Sequence, residues 1–217
     1  MDMLLLFLPF TLLGDKKALT AKKLIKAFIP ALAVTLFYAE TGVFFARNGI
    51  WTFHSESLSG WFFRHLPVEQ YLYYFSMSFF CLALYQYRKA KRPHKSIGFS
   101  LFLSNLLLGL CVAFLFFAYT KPYTLVLVSM TAFFLLLVEY RTRLRFMGNF
   151  YPALLWGLIP FYITQYILSH RPIITYQWDK TMNAGWLKIP FENHFLYFGM
   201  FLLGVAVLEL LQNYKRP

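Results

Sequence analysis

Six stretches of the chain, 24–45, 68–87, 96–119, 123–138, 150–168 and 191–211, are apolar over most of their length. Crossing a hydrocarbon core of about 30 Å takes about 20 helical residues at about 1.5 Å each, so each stretch predicts a membrane-spanning helix, 123–138 being somewhat short. A seventh candidate, 3–13, falls short of a full span and would have to tilt, snorkel or thin the bilayer. It carries Asp2, has no basic residue ahead of it and no small-residue cleavage site, so it does not read as a signal peptide. The fold class expected is an all-α polytopic membrane helix bundle of about seven transmembrane helices. Only 14% of residues are charged, against about a quarter in soluble domains. Cys81 and Cys111 both sit inside apolar runs without a second cysteine or a histidine at ligand spacing, and read as small hydrophobes.

A formal charge of +12 would suggest nucleic acid in a soluble protein. Here the position of the charge decides. With seven spans, one set of loops holds Lys16, Lys17, Lys22, Lys23 and Lys26, then Arg88, Lys89, Lys91, Arg92 and Lys95, then Arg141, Arg143 and Arg145, then Lys215 and Arg216. The other set holds Arg47, Arg64, Lys121, Arg171, Lys180 and Lys188. Basic loops stay cytoplasmic, so the amino terminus is expected outside and the carboxyl terminus in the cytoplasm, with no nucleic-acid partner.

Sliding the chain on itself by 123 residues aligns Pro67 with Pro190, Glu69 with Glu192, Tyr74 with Tyr197, Phe75 with Phe198, Met77 with Met200 and Ala83 with Ala206. Composition alone would give roughly one or two identities over such a window. The expectation is two parallel three-helix repeats, 1–87 and 123–217, joined by a linker helix in 88–122. Equivalent helices lie four spans apart and run the same way, which relates the halves by an axis along the membrane normal and puts both glutamates at one depth, on the outer side.

Each glutamate stands two residues after a proline, in "LPVEQ" and "IPFEN". Proline is favoured in the first helical turn and glutamate is stabilised there by the helix dipole by about 0.3 to 1 kcal/mol, which accounts for the motif without any chemistry. Against that, Leu66 and Ile189 precede the prolines where a capping box would have serine or threonine. A carboxyl group buried in an apolar cleft tends to keep its proton and is then a general acid. Both readings stand at this level. Gln70 and Asn193 add an amide beside each glutamate. Tyr73 and Ser76 lie one and two turns beyond Glu69, and Leu196 and Gly199 beyond Glu192; the small residues leave room on the acid's face or serve close helix packing. Trp51, Tyr73, Tyr74, Tyr197 and Phe198 surround the motifs either as an interfacial aromatic belt or as ring faces for a cation. Glu40 is a candidate third acid. Glu139 and Glu209, at cytoplasmic helix ends near Arg141 and Lys215, need only pairing or snorkelling. His65 and His194 flank the motifs but fit no metal site, and no nucleotide, flavin or nucleophile-elbow motif occurs, so no cofactor is expected.

Taken together, "GIWTFHSE" at 49–56 followed by "PVEQ", and "ITYQWD" followed by "PFEN", resemble the flavin-independent membrane lycopene cyclases, whose halves each carry a Pro-x-Glu-acid motif. The resemblance covers nearly the whole chain. It implies an integral protein of the bacterial inner membrane that converts lycopene to γ-carotene and β-carotene, an isomerase of the intramolecular lyase kind without net redox change. It also leaves room for association with other carotenoid enzymes. Carried over, Glu69 and Glu192 are the motif glutamates, acid and partner acid or base, with Glu40 as a third catalytic candidate. Gln70, Asn193, Tyr73, Tyr74, Tyr197, Phe198 and Trp51 are the residues implied to contact substrate. The chain departs from the family at Gln70 and Asn193, where an acid is usual, and at Gly42, where an acid often precedes the tryptophan loop. The alternatives are a transporter-like seven-helix protein with an intramembrane carboxyl pair, or a non-catalytic subunit. A retinal pigment is disfavoured, since 191–211 holds no lysine.

Overall fold

A computed structural model of the chain describes residues 20–54, 58–91, 97–142, 144–170, 173–186 and 189–214. The expected short span at 3–13 lies outside the described residues. Six α-helices carry the fold: α1 (Ala21–Arg47), α2 (Val68–Lys91), α3 (Ile97–Phe117), α4 (Pro122–Leu136), α5 (Met147–His170) and α6 (Asn193–Tyr214). A π-helical turn, Leu137–Arg141, prolongs α4. The six apolar stretches all fall on these helices. Among them α1, α3, α4 with its π turn, and α6 are long and apolar enough to cross a membrane. The other two, α2 and α5, have 24 residues each. Their lower hydropathy reflects polar side chains turned into the bundle: Gln70, Ser76, Ser78 and Gln86 on α2, Thr164 and Gln165 on α5.

The bundle is packed as lipid demands. The 27 residues of α1 span about 40 Å at about 1.5 Å per residue. Its buried stripe runs through Ala27, Ala31, Val34, Tyr38, Ala39 and Gly42, while Ile25, Ile29 and Leu36 face outward. With no hydrophobic force between helices in lipid, small residues at the interface let backbones approach and gain dispersion contact. Along this stripe α1 packs against α2 and α6, and α2 packs against α5. Helix α3 packs on α4 and α5 at the periphery and leaves Phe102, Phe116 and Phe117 exposed.

Between the helices lie short strands: β1 (Trp51–Phe53), β2 (Phe62–Phe63), β3 (Leu66–Pro67), β4 (Ile174–Tyr176), β5 (Gly185–Trp186) and β6 (Ile189–Pro190). The hairpins β2–β3 and β5–β6 have identical bounds once shifted by 123 residues. So do β1 and β4, which pair with each other, Trp51 opposite Tyr176, Thr52 opposite Thr175 and Phe53 opposite Ile174. The ladder is self-complementary, and its centre is a hydrogen bond between the Thr52 and Thr175 hydroxyls, 123 residues apart. The shift also pairs Gly60 with Asn183, both at positive φ, 81° and 55°. The two-residue turn of the first hairpin, Arg64 and His65, puts two non-glycine residues at positive φ, 48° and 71°. Such primed turns match strand twist at a cost that glycine would avoid.

Helices approach closely at Gly157 of α5, where an added Cβ would stand 2.2 Å from the Tyr197 hydroxyl oxygen, and at Gly199 of α6, where it would stand 2.3 Å from the Tyr38 hydroxyl oxygen. The room that a small residue leaves beyond Glu192 is thus filled by a buried tyrosine of α1. Gly199→Ala must push that ring out of a packed core, and overpacking costs about 1 to 3 kcal/mol. We expect a lower melting temperature in detergent, measured by fluorescence-detected size exclusion after heating, with Tyr38→Phe restoring part of the loss.

Candidate active site

The two motif glutamates begin their helices in the same way. Each follows a hairpin whose last residue is proline, and each is gripped by a backbone amide ten residues upstream. Ser59 N–H donates to Glu69 Oε1 at 2.7 Å, and Met182 N–H donates to Glu192 Oε1 at 2.7 Å. The two donors are themselves 123 residues apart. In both carboxyl groups the second oxygen, Oε2, is buried with no hydrogen-bond partner.

Beyond that likeness the environments part. Glu192 has no solvent exposure, and its Oε1 receives a second hydrogen bond, from Thr124 Oγ1 of α4 at 2.6 Å. Glu69 is half-buried. No hydrogen bond joins the two carboxyl groups, and each is held by the loop of its own half. Glu40 lies 61% exposed in an ion pair with Arg64 at the turn of the first hairpin. The structure therefore brings one carboxyl group fully into the interior, Glu192.

Next to it, Asn193 is the hub of a buried polar network. Its Oδ1 accepts from the Tyr123 hydroxyl at 2.6 Å, and its Nδ2 donates to Gln165 Oε1 and to the Tyr176 hydroxyl, both at 2.9 Å. Gln165 in turn donates through Nε2 to the Tyr73 hydroxyl at 3.0 Å. The chain of bonds runs from α6 through α5 to α2 and so ties the two halves together. Every polar atom of the two amides is used. Tyr176, on the β4 strand outside the helices, has its hydroxyl pushed up to about 12 by burial, partly offset by the amide donor of Asn193. It stays a neutral phenol at working pH.

Trp51 is buried against the rings of Phe45, Tyr123 and Tyr176, with centroids 5.2 to 6.4 Å away. Its indole nitrogen has no partner, and neither does the hydroxyl of Tyr74, which lies beside the buried Gln70. Both side chains converge on Gly42: a Cβ there would lie 3.0 Å from the Tyr74 oxygen and 3.3 Å from the Trp51 ring. The residue 123 positions on from Gly42 is Gln165, whose side chain occupies the corresponding place in the second half. Tyr197 spends its hydroxyl on the Leu154 carbonyl at 2.9 Å, and Phe198 packs edge-on against Phe150. Phe198 also borders an apolar cavity of about 170 Å³ between α3, α4 and α6, whose wall includes Phe191, His194 and Phe195, the residues flanking Glu192. His194 is engaged by the Phe191 carbonyl and the Tyr162 hydroxyl.

Three participants lie outside the motifs, Thr124, Tyr123 and Gln165, and Tyr176 stands within "ITYQWD" without being singled out there. Gln165, an isolated amide within an apolar stretch, carries the one signal that a sequence reading could have used. Asn193→Asp removes two donated hydrogen bonds while keeping shape, leaving Gln165 Oε1 and the Tyr176 hydroxyl short of a donor. Unmet buried groups cost about 1 to 3 kcal/mol each. We expect Asn193→Asp to be less stable to heat in detergent than the wild type, and Asn193→Asp combined with Gln165→Leu to be non-additive in a double-mutant cycle.

A family model described as Lycopene cyclase matches residues 1–88 and 120–211. No curated protein and no solved structure matches the chain.

Proposed function

The chain belongs to the lycopene cyclase family, and from that premise we propose that it closes β-rings at the ends of lycopene, giving γ-carotene and β-carotene, with Glu192 delivering the proton. The observation that carries the reading is the setting of Glu192: no solvent exposure, Oε1 taken by two donors, and Oε2 buried and unpartnered. A general acid for an alkene needs a transferable proton held away from water, and the cation it creates must be kept from water too.

The proton passes from the carboxyl group to the terminal C1=C2 double bond, the tertiary cation is attacked by the neighbouring double bond, and the proton lost from the closed ring is taken up by the Glu192 carboxylate left by the first step. One proton enters and one leaves, so nothing is oxidised and no cofactor is called for. The rings of Trp51, Tyr73, Tyr123 and Tyr176 gather around the Asn193 network next to Glu192 in the chain and are assigned the role of offering their negative faces to the cation. Glu69, half-buried in the other half, is assigned the partner role of exchanging protons with the outer aqueous side. Asn193 and Gln70 are neutral amides and cannot act as acids, so each motif works through its first glutamate. The apolar cavity lined by Phe191, Phe195 and Phe198 offers part of a hydrocarbon chain a place near the start of α6, and Glu192 is not in its wall.

The same reading takes 1–87 and 123–217 as parallel repeats linked by 88–122, in the bacterial inner membrane with the carboxyl terminus in the cytoplasm. The matching bounds of the hairpins, the self-complementary β1–β4 ladder and the placement of basic residues support it.

Expression in bacteria engineered to accumulate lycopene, with pigments resolved by chromatography, tests the proposal. The wild type should yield monocyclic and bicyclic β-ring carotenes. Glu192→Gln should lose more than about 100-fold of the activity, in keeping with the loss of a general acid, and Glu69→Gln should lower it with less effect. Unchanged lycopene in cells whose membranes hold wild-type protein would sink the proposal.

A further inference from the structure

A neutral carboxyl group has one oxygen that accepts and one that carries the proton, and which is which decides where the proton can go. In Glu192 the choice is made by its neighbours. Met182 N–H has no alternative role but to donate, so Oε1 is an acceptor already. Thr124 Oγ1 donates to the same atom at 2.6 Å. An oxygen receiving two donors has no room for a proton in the carboxyl plane, which leaves Oε2, buried and without a partner. Glu69 has no counterpart of Thr124 and is held by Ser59, whose backbone amide donates to Oε1 at 2.7 Å.

We propose that Thr124 is a positioning residue that fixes Glu192 Oε1 as the carbonyl oxygen and thereby makes Oε2–H the proton-delivering atom. The inference rests on the proposed proton delivery by Glu192 and adds the residue that addresses the proton. When the Oε2–H bond breaks and the new C–H bond forms on the alkene, the negative charge left on the carboxylate is met at once by the Thr124 hydroxyl and the Met182 amide. The donors are in place beforehand, so no reorganisation is needed at the moment of transfer. The proton released from the closed ring balances the one delivered.

Thr124 is fully buried at the start of α4, one residue after Tyr123, which holds Asn193. One short segment therefore orients both the acid and the hub beside it.

The test is made on the full-length protein in membranes, with two readouts. Thr124→Val, which keeps shape and removes the hydroxyl, should lower ring formation roughly 10- to 100-fold, as expected for a lost hydrogen bond to a charged group, and Thr124→Ser should restore most of it. Independently of activity, infrared difference spectroscopy should show a protonated-carboxyl carbonyl band that disappears in Glu192→Gln, moves to higher wavenumber in Thr124→Val and stays in place in Thr124→Ser. Should ring formation depend on Glu192 while Thr124→Val leaves both rate and band unchanged, the positioning role is overturned and the cyclase reading stands. Absence of ring formation by the wild type, with the band still shifting in Thr124→Val, would overturn the cyclase reading and leave the orientation of Glu192 intact. A variant absent from the membrane is replaced in the comparison by Thr124→Ala.

Discussion

Inside a bundle the width of a bilayer, a polar atom finds its partner within the protein or goes without, because no water is there to supply one. The arrangement of this molecule follows from that constraint. Its outer faces are large and apolar, its helix contacts are small, and its polar side chains are gathered into clusters, the network around Asn193 at one end and the sets Tyr85–Glu209–Lys89 and Ser104–Glu139–Tyr151 elsewhere. The bonds from Tyr123 to Asn193, from Asn193 to Gln165 and Tyr176, and from Gln165 to Tyr73 use both ends of both amides. Such a network is stable only as a whole, since any member left over would carry the desolvation cost of an unpaired group. Among the described residues the exceptions are Glu192 Oε2, Glu69 Oε2, the Trp51 indole nitrogen and the hydroxyls of Tyr74, Ser78 and Ser169, buried without a close hydrogen-bond partner, and the two carboxyl oxygens are the ones that can carry a transferable proton. Buried polar atoms without partners are costly, and a protein keeps them where something else is to be met.

Segments 123 residues apart share hairpin bounds and differ in what packs around them. Hairpins, amide grips on the glutamates and positive-φ positions recur at a shift of 123 residues. The shift pairs Gly42 with Gln165 and Glu69 with Glu192, and at both places the surroundings differ. Gln165 completes the network around Asn193, whereas at Gly42 the Tyr74 hydroxyl, Leu66 and the Trp51 ring close in to within 3.0–3.3 Å of where a methyl group would stand. A repeated frame with unequal interiors lets one side hold an acid in dry surroundings while the other stays half-open.

Much of this was legible beforehand, and what was not has a common cause. Periodicity and length sufficed for the helices from 24–45 to 191–211, because spanning a bilayer fixes both. The doubled Pro-x-Glu motif located both glutamates and the shift of 123. Their difference in burial was invisible, since it arises from what packs over each helix start and not from the motif itself. Thr124 escaped notice because a threonine after proline and tyrosine reads as an ordinary helix beginning. The Met182 amide escaped because a backbone donor has no side chain to read. Glu40 looked like a third acid from its place in an apolar stretch, yet Arg64, projected by an unusual turn, draws it to the surface.

On the proposed chemistry, the aromatic interior poses a difficulty that the amide hub resolves. A tertiary carbocation is captured by any free oxygen lone pair within reach, and tyrosine hydroxyls are such oxygens. Two of the nearby tyrosines have an oxygen lone pair occupied, Tyr176 by the Asn193 amide and Tyr73 by the Gln165 amide, while Tyr123 has its hydroxyl oriented by donating to Asn193. Burial also keeps Tyr176 in its neutral form, the weaker nucleophile. With their oxygens held in the network, these residues present ring faces, which stabilise a cation without bonding to it. An acid at position 193 could not do this, since a carboxylate donates to neither Gln165 nor Tyr176 and would itself compete for the cation. The replacement of an acid by Asn193 is therefore consistent with a site that concentrates its proton chemistry in Glu192 and turns the neighbouring position to holding the walls.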